Sequence, residues 1–166
     1  MVLKYIKGIV LKVGDNIDTD AIIPGKYLTL TDPGELGRHA LEVLDPSIPS
    51  LLKERQIIVA GRNFGCGSSR EHAVLALMGA GVKAIIAESF ARIFYRNSIN
   101  RGLLAIELSG APSVISDGDE VLIDLEKSVV TTVGGKELRS KSLPREVIEI
   151  IEAGGLIERL KKELVS

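Results

Sequence analysis

The chain has a single cysteine, Cys66, no tryptophan and few aromatic side chains of any kind. One thiol cannot make an internal disulfide, and it cannot hold an iron–sulfur cluster or a structural zinc. With only two histidines beside it, a metal site built from this chain alone is not expected. No apolar run approaches the ~18 residues that would read as a membrane span. The first residues, MVLKYIKGIVLKV, are interrupted by Lys and Gly. They read as a strand rather than a signal peptide, and a cytoplasmic protein is the expectation. Net charge is also scarce: 21 basic and 22 acidic side chains leave −1. That gives no overall attraction to nucleic acid or a membrane surface, and the few aromatics offer little for bases to stack on.

What is present suits one folded domain over residues 1–166. The composition is 45% hydrophobic and 26% charged, enough apolar side chain to offset the entropy of ordering. The charge is unevenly spread. Residues 61–101 hold six basic groups, five of them Arg, against Glu71 and Glu88. Arg forks match carboxylates, so a small polyanion is the expected ligand.

Hydrophobic patterning predicts strands over 2–13, 56–60, 82–87 and 103–108, and helices over about 69–78 and 90–99. Strand, helix, strand, helix, strand with short connections predicts parallel pairing with right-handed crossovers. Residues 21–32 carry no clear period and read as a loop. Pro33 opens a helix to about Leu44. Turn signals at Asp117-Gly118-Asp119 and Gly134-Gly135 frame strands over 120–125 and 128–133, a β-hairpin region. Pro144 starts a helix that Gly154-Gly155 interrupts, and a last short helix runs to about Leu164.

The chemistry-bearing segment is GRNFGCGSSREH, residues 61–72. Glycines between a strand and a helix let backbone N–H groups approach a ligand, and a helix start favours an anion. Arg70 adds a full charge, and Ser68 and Ser69 sit where a hydroxyl faces that anion. Dinucleotide, Walker and nucleophile-elbow loops do not match. A plainer reading stands beside this one. Ser68 and Glu71 have capping-box spacing, which would spend the serine on the helix end. His72 reads as an ordinary helical residue, and Cys66 as a small buried apolar one. Asp15 to Asp20 reads first as an Asx-type turn. Phe90, Ile93 and Phe94 read as core, and Asn97 and Asn100 as helix-end and turn residues.

Three pieces carry a family resemblance: GDNIDTDAIIPGKYL (14–28), GRNFGCGSSREHAVLALMGAGVKAIIAESFARIFYRNSINRGLLAI (61–106) and LPREVIEIIEAGGLIERL (143–160). Together they cover about half the chain. In them it resembles the small subunits of 3-isopropylmalate dehydratase, aconitase-like isomerases, and is similar to archaeal homoaconitase small subunits. The resemblance implies an α/β fold, the swivelling β/β/α domain of aconitases, with a mostly parallel central sheet plus the β-hairpin region. It implies a hydro-lyase subunit of leucine biosynthesis, inactive without an iron–sulfur large subunit, in a heterodimer or heterotetramer. No cofactor would be bound by this chain; a 4Fe–4S cluster would lie in the large subunit. The substrate would be a small di- or tricarboxylate.

By the same resemblance Ser68 is the catalytic base, Arg70 grips a carboxylate, and Ser69 and Gly67 contact substrate. Asp20 is the active-site aspartate, organising Arg70 or the serine. Substrate choice falls to Lys26, Tyr27, Leu28, Thr29 and Leu30, in a loop expected to be mobile. Homoaconitase-like members resemble Tyr-Leu-Arg-Thr there. This chain has Thr29 in place of that Arg, and Leu28 and Leu30 suit an isopropyl group, so isopropylmalate is the expected substrate. The alternatives are a homoaconitase or broad-specificity subunit and, in another class, a non-catalytic anion- or RNA-binding module.

Overall fold

Strand β1 (Tyr5–Lys12) divides the sheet into halves of different character in the computed structural model, which describes residues 4–165. On one side it pairs in parallel with β2 (Ile57–Ala60), and β3 (Ala84–Ala87) and β4 (Leu104–Glu107) continue that direction. On the other it pairs antiparallel with β5 (Glu120–Asp124), followed by β6 (Val129–Thr132) and β7 (Glu137–Arg139). The order across the sheet is β4-β3-β2-β1-β5-β6-β7.

The two halves follow from their sequences. β2 and β3 are IIVA and AIIA, buried at every position, as parallel strands covered on both faces must be. β5 buries Val121 and Ile123 and exposes Leu122 between them, the alternation of a sheet with one wet face. Crossovers in the parallel half are α4 (Glu71–Gly79) and α5 (Arg92–Arg101). Three one-turn helices occupy the long β1–β2 connection: α1 (Thr19–Ile22), α2 (Pro33–Gly37) and α3 (Ile48–Leu51). A fourth, α6 (Ala111–Val114), precedes β5, and the described chain closes with α7 (Arg145–Ala153) and α8 (Leu156–Val165). Among the described residues no helix is long and apolar enough to cross a membrane.

Several short elements differ from expectation. Residues 21–32 hold the last two residues of α1 and a 3₁₀ turn at Gly25–Tyr27. Asp18 makes α1: its Oδ1 accepts the Ala21 N–H at 2.7 Å, a cap that stabilises one turn without any periodic pattern. The helix from Pro33 stops at Gly37 and gives way to turns before Leu44. The hairpin region gains β7, whose three residues are too few for a period-two signal.

The core reaches the loop after β2. Phe64 is fully buried, with the rings of Phe94 and Phe90 edge-on at centroid distances of 5.3 and 6.1 Å. Phe64→Ala is expected to cost about 3–5 kcal/mol, the range for a buried aromatic truncated to a cavity, measured by urea unfolding. A loss below about 1 kcal/mol would show that this loop is not seated in the core.

Candidate functional site

The segments that follow β1, β2 and β3 meet at the carboxyl ends of the parallel strands, where open α/β sheets place their ligands. The glycine-rich segment lies between the other two and has no regular structure of its own, so its backbone is satisfied by neighbours. Asp15 Oδ1 accepts the Arg62 N–H at 2.8 Å, and the Gly65 N–H donates to the Ile17 carbonyl at 2.8 Å. Thr19 binds it twice: its N–H donates to the Cys66 carbonyl at 2.9 Å and its hydroxyl to the Ser68 carbonyl at 2.9 Å. On the far side the Asn63 N–H donates to Ser89 Oγ at 2.8 Å, and the Ala91 N–H to the Phe64 carbonyl at 2.9 Å. Gly65 admits no side chain: it has φ +82°, and a Cβ there would lie 2.2 Å from Phe94 Cγ. Gly67, at φ +95°, has a backbone that favours glycine.

The capping-box reading is corrected. α4 begins at Glu71, its N-cap position is Arg70, and no side chain caps it. Arg70 is extended, at φ −129° and ψ 112°, which leaves Ser68 ahead of the helix and unable to cap it. Ser68 and Ser69 are exposed, and neither hydroxyl has a hydrogen-bond partner among the described residues. Arg70 is the reverse, with its side chain only 21% exposed. It forms an ion pair with Asp20, donates to the Ile23 carbonyl at 3.5 Å and lies against Gly25. Asp20 is 68% exposed, so the pair adds little stability. Its effect is to hold the guanidinium in one place.

Beside these groups lies a cavity of about 290 Å³, lined by Gly67, Ser69 and Arg70 from the loop and by Arg92, Ile93 and Asn97 from α5. Ser68 is flanked by two lining residues and is not itself one. Two sequence readings change here. Ile93 is 54% exposed, while Phe90 and Phe94 are core as expected, and Asn97 faces the cavity rather than serving only the helix end. No local signal could have found either, because the β3–α5 crossover sets which side of α5 meets the loop. Among the described residues no three His, Cys, Asp or Glu side chains are grouped to hold a metal ion.

The Aconitase C-terminal domain family model matches residues 39–111. The 3-isopropylmalate dehydratase small subunit of Thermodesulfovibrio yellowstonii is 51% identical over 160 residues, covering 96% of this chain and 95% of that one. The chain belongs to the 3-isopropylmalate dehydratase small-subunit family. The isopropylmalate/citramalate isomerase small subunit of Methanocaldococcus jannaschii has the same identity and coverage. A crystal structure of the 3-isopropylmalate dehydratase from that organism matches with a TM-score of 0.90 at 49% identity, over 97% of this chain and 96% of its own. Its enzyme class is therefore that of the family, the aconitase-type hydro-lyases, and its fold is the expected aconitase C-terminal-domain type.

The segment that the family resemblance marks for substrate choice has a defined anchor. The Tyr27 ring stacks on His39 with centroids 3.7 Å apart and planes 11° from parallel. His39 Nδ1 lies 2.9 Å from Glu42 Oε2, and Lys26 Nζ is 5.1 Å from the Tyr27 centroid. Lys26 and Thr29 are exposed, Leu28 and Leu30 part-buried. None of residues 26–30 lines the cavity; the segment approaches it through Gly25 and Arg70. Burial would raise the Glu42 carboxyl, but hydrogen bonds from His39 and Tyr27 and the charges of His39 and Lys26 outweigh it. The carboxyl is held below its ordinary range.

A carboxyl depressed on folding stabilises the protein fully above its unfolded pKa and stops doing so as pH falls through the folded value. Glu42→Gln is therefore expected to lower stability at neutral pH, with the gap to wild type closing as pH falls from neutral to below the ordinary glutamate range. Urea midpoints of both proteins across that range measure it. A gap independent of pH would mean that the charge of Glu42 does not anchor the segment.

Proposed function

We propose that this chain is the small subunit of a 3-isopropylmalate dehydratase. With a large subunit it interconverts 2-isopropylmalate and 3-isopropylmalate through 2-isopropylmaleate, a step of leucine biosynthesis in the cytoplasm. The observation that carries the reading is two adjacent exposed hydroxyls, Ser68 and Ser69, with no hydrogen-bond partner among the described residues, immediately before Arg70, whose guanidinium Asp20 holds in position.

Arg70 binds a substrate carboxylate through its fork. Ser68, as the alkoxide, takes the proton from the carbon beside that carboxylate. The electron pair of the C–H bond becomes the double bond as the hydroxyl group leaves the adjacent carbon, taking a proton from an acid group of the large subunit to become water. Readdition of water with the positions exchanged gives the isomer: the water returns that proton to the acid group, and Ser68 returns its own to carbon. A serine hydroxyl is a weak base at neutral pH, so the alkoxide needs electrostatic support. Arg70 and the backbone N–H groups of the glycine loop are its sources. Gly67 and Ser69 contact the substrate beside them.

Departure of the hydroxyl group calls for a Lewis acid. This chain has one cysteine, too few to hold an iron–sulfur cluster. The family resemblance implies a 4Fe–4S cluster in the large subunit, in which case the small subunit alone is inactive.

Residues 26–30 supply no Arg for a third carboxylate, which favours a diacid over homoaconitate, and the names of the relatives reported above point the same way. The M. jannaschii relative is named for citramalate as well, so citramalate is the second substrate to assay. A non-catalytic anion- or RNA-binding module gives no use to the paired hydroxyls.

In the complex with the large subunit, Ser68→Ala is expected to reduce turnover by about 10²–10⁴-fold, the contribution of a positioned general base. Its thermal midpoint should match wild type, because the hydroxyl makes no hydrogen bond among the described residues. Wild-type turnover would remove Ser68 from the reaction. Thr29→Arg is expected to raise the rate on homoaconitate relative to isopropylmalate in the same assay; an unchanged ratio would take substrate choice away from this segment.

A further inference from the structure

We infer that Arg92, assisted by Asn97, is the binding point for the second carboxylate of the substrate, on the α5 wall of the cavity. The inference rests on the diacid reading above and extends it to residues with no role so far. A diacid brings two negative charges, and Arg70 answers them only in part, because Asp20 already offsets its charge. Of the residues that line the cavity, only one other is cationic, and it is Arg92.

Arg92 has no ion-pair or hydrogen-bond partner for its side chain among the described residues. Arg101, on the same helix, is committed to Glu71. Asn97 is part-buried, lines the same cavity, and its amide is likewise unpartnered. A guanidinium and an amide together offer several N–H donors to one carboxylate. Ile93 lines the cavity too, with about half its surface open, and gives a branched alkyl group an apolar surface. One cation, one amide and one aliphatic side chain lining the same cavity as Arg70 match a branched diacid, in a site with few polar groups fixing orientation.

The test uses the complex of this chain with its large subunit. Arg92→Gln is expected to raise KM for isopropylmalate about 10- to 100-fold, the loss of a charge-assisted contact, with kcat nearly unchanged. Arg92→Lys should recover part of it, and Asn97→Ala should show a smaller rise of the same kind. Affinity for the large subunit, measured by titration, should equal wild type. An unchanged KM overturns the proposal, and so does weakened subunit assembly with normal KM at saturating small subunit, which would assign Arg92 to the partner. Calorimetric binding of succinate to the same complexes separates this inference from the reaction itself. If wild type turns over neither isopropylmalate nor citramalate while Arg92→Gln weakens succinate binding, the reaction is wrong and the subsite stands. Equal succinate binding in both overturns the subsite.

Discussion

The site depends on a loop that cannot satisfy its own backbone. Residues 61–70 make neither helix nor sheet, and a loop of that kind holds one shape only when adjacent segments take up its N–H and C=O groups. Here they are the segment after β1, through Asp15, Ile17 and Thr19, and the segment after β3, through Ser89 and Ala91. Thr19 is the most economical of these, because one residue holds both the Cys66 and Ser68 carbonyls. The backbone of Ser68 is therefore fixed while its side chain has no hydrogen-bond partner among the described residues. An exposed nucleophilic or basic group on a fixed backbone is the arrangement that avoids reorganisation during reaction.

The same segment after β1 sets the charge. Asp18 caps α1, α1 presents Asp20, and Asp20 meets Arg70. A chain of local contacts thus places a carboxylate where it fixes a guanidinium. The ion pair is too exposed to matter for folding, and its value lies in limiting the conformations Arg70 can adopt. It also weakens the net field that Arg70 presents to the cavity, where Arg92 has no ion-pair partner among the described residues.

How much of this was legible in the sequence follows from the length scale of each signal. β2, β3 and β4 are apolar runs bounded by turn residues, and the parallel half of the fold can be read from them. The site loop stands out by composition, since three glycines, two serines and an arginine exceed what a helix start needs. The one-turn helices and β7 are shorter than any period they could display. Spacing misled for Ser68, because S-x-x-E predicts a cap only if the helix starts there, and the extended backbone at Arg70 delays it. Arg92, Ile93 and Asn97 were hidden for another reason. Their role depends on which face of α5 the crossover turns toward the loop, and the constraint that sets it, Phe94 against Gly65, joins residues distant in sequence.

One consequence of β1 concerns how the molecule is made. Among the described strands it precedes all the others in sequence, and it is the one with a parallel neighbour on one side and an antiparallel neighbour on the other. Its first partner begins at Ile57 and its second at Glu120. Pairings between such distant residues close slowly, because the entropy of a large loop is lost before any contact rewards it. The strand is thus bordered on both edges only once the segments from Ile57 and from Glu120 have both joined it, and until then its backbone groups must be held by water.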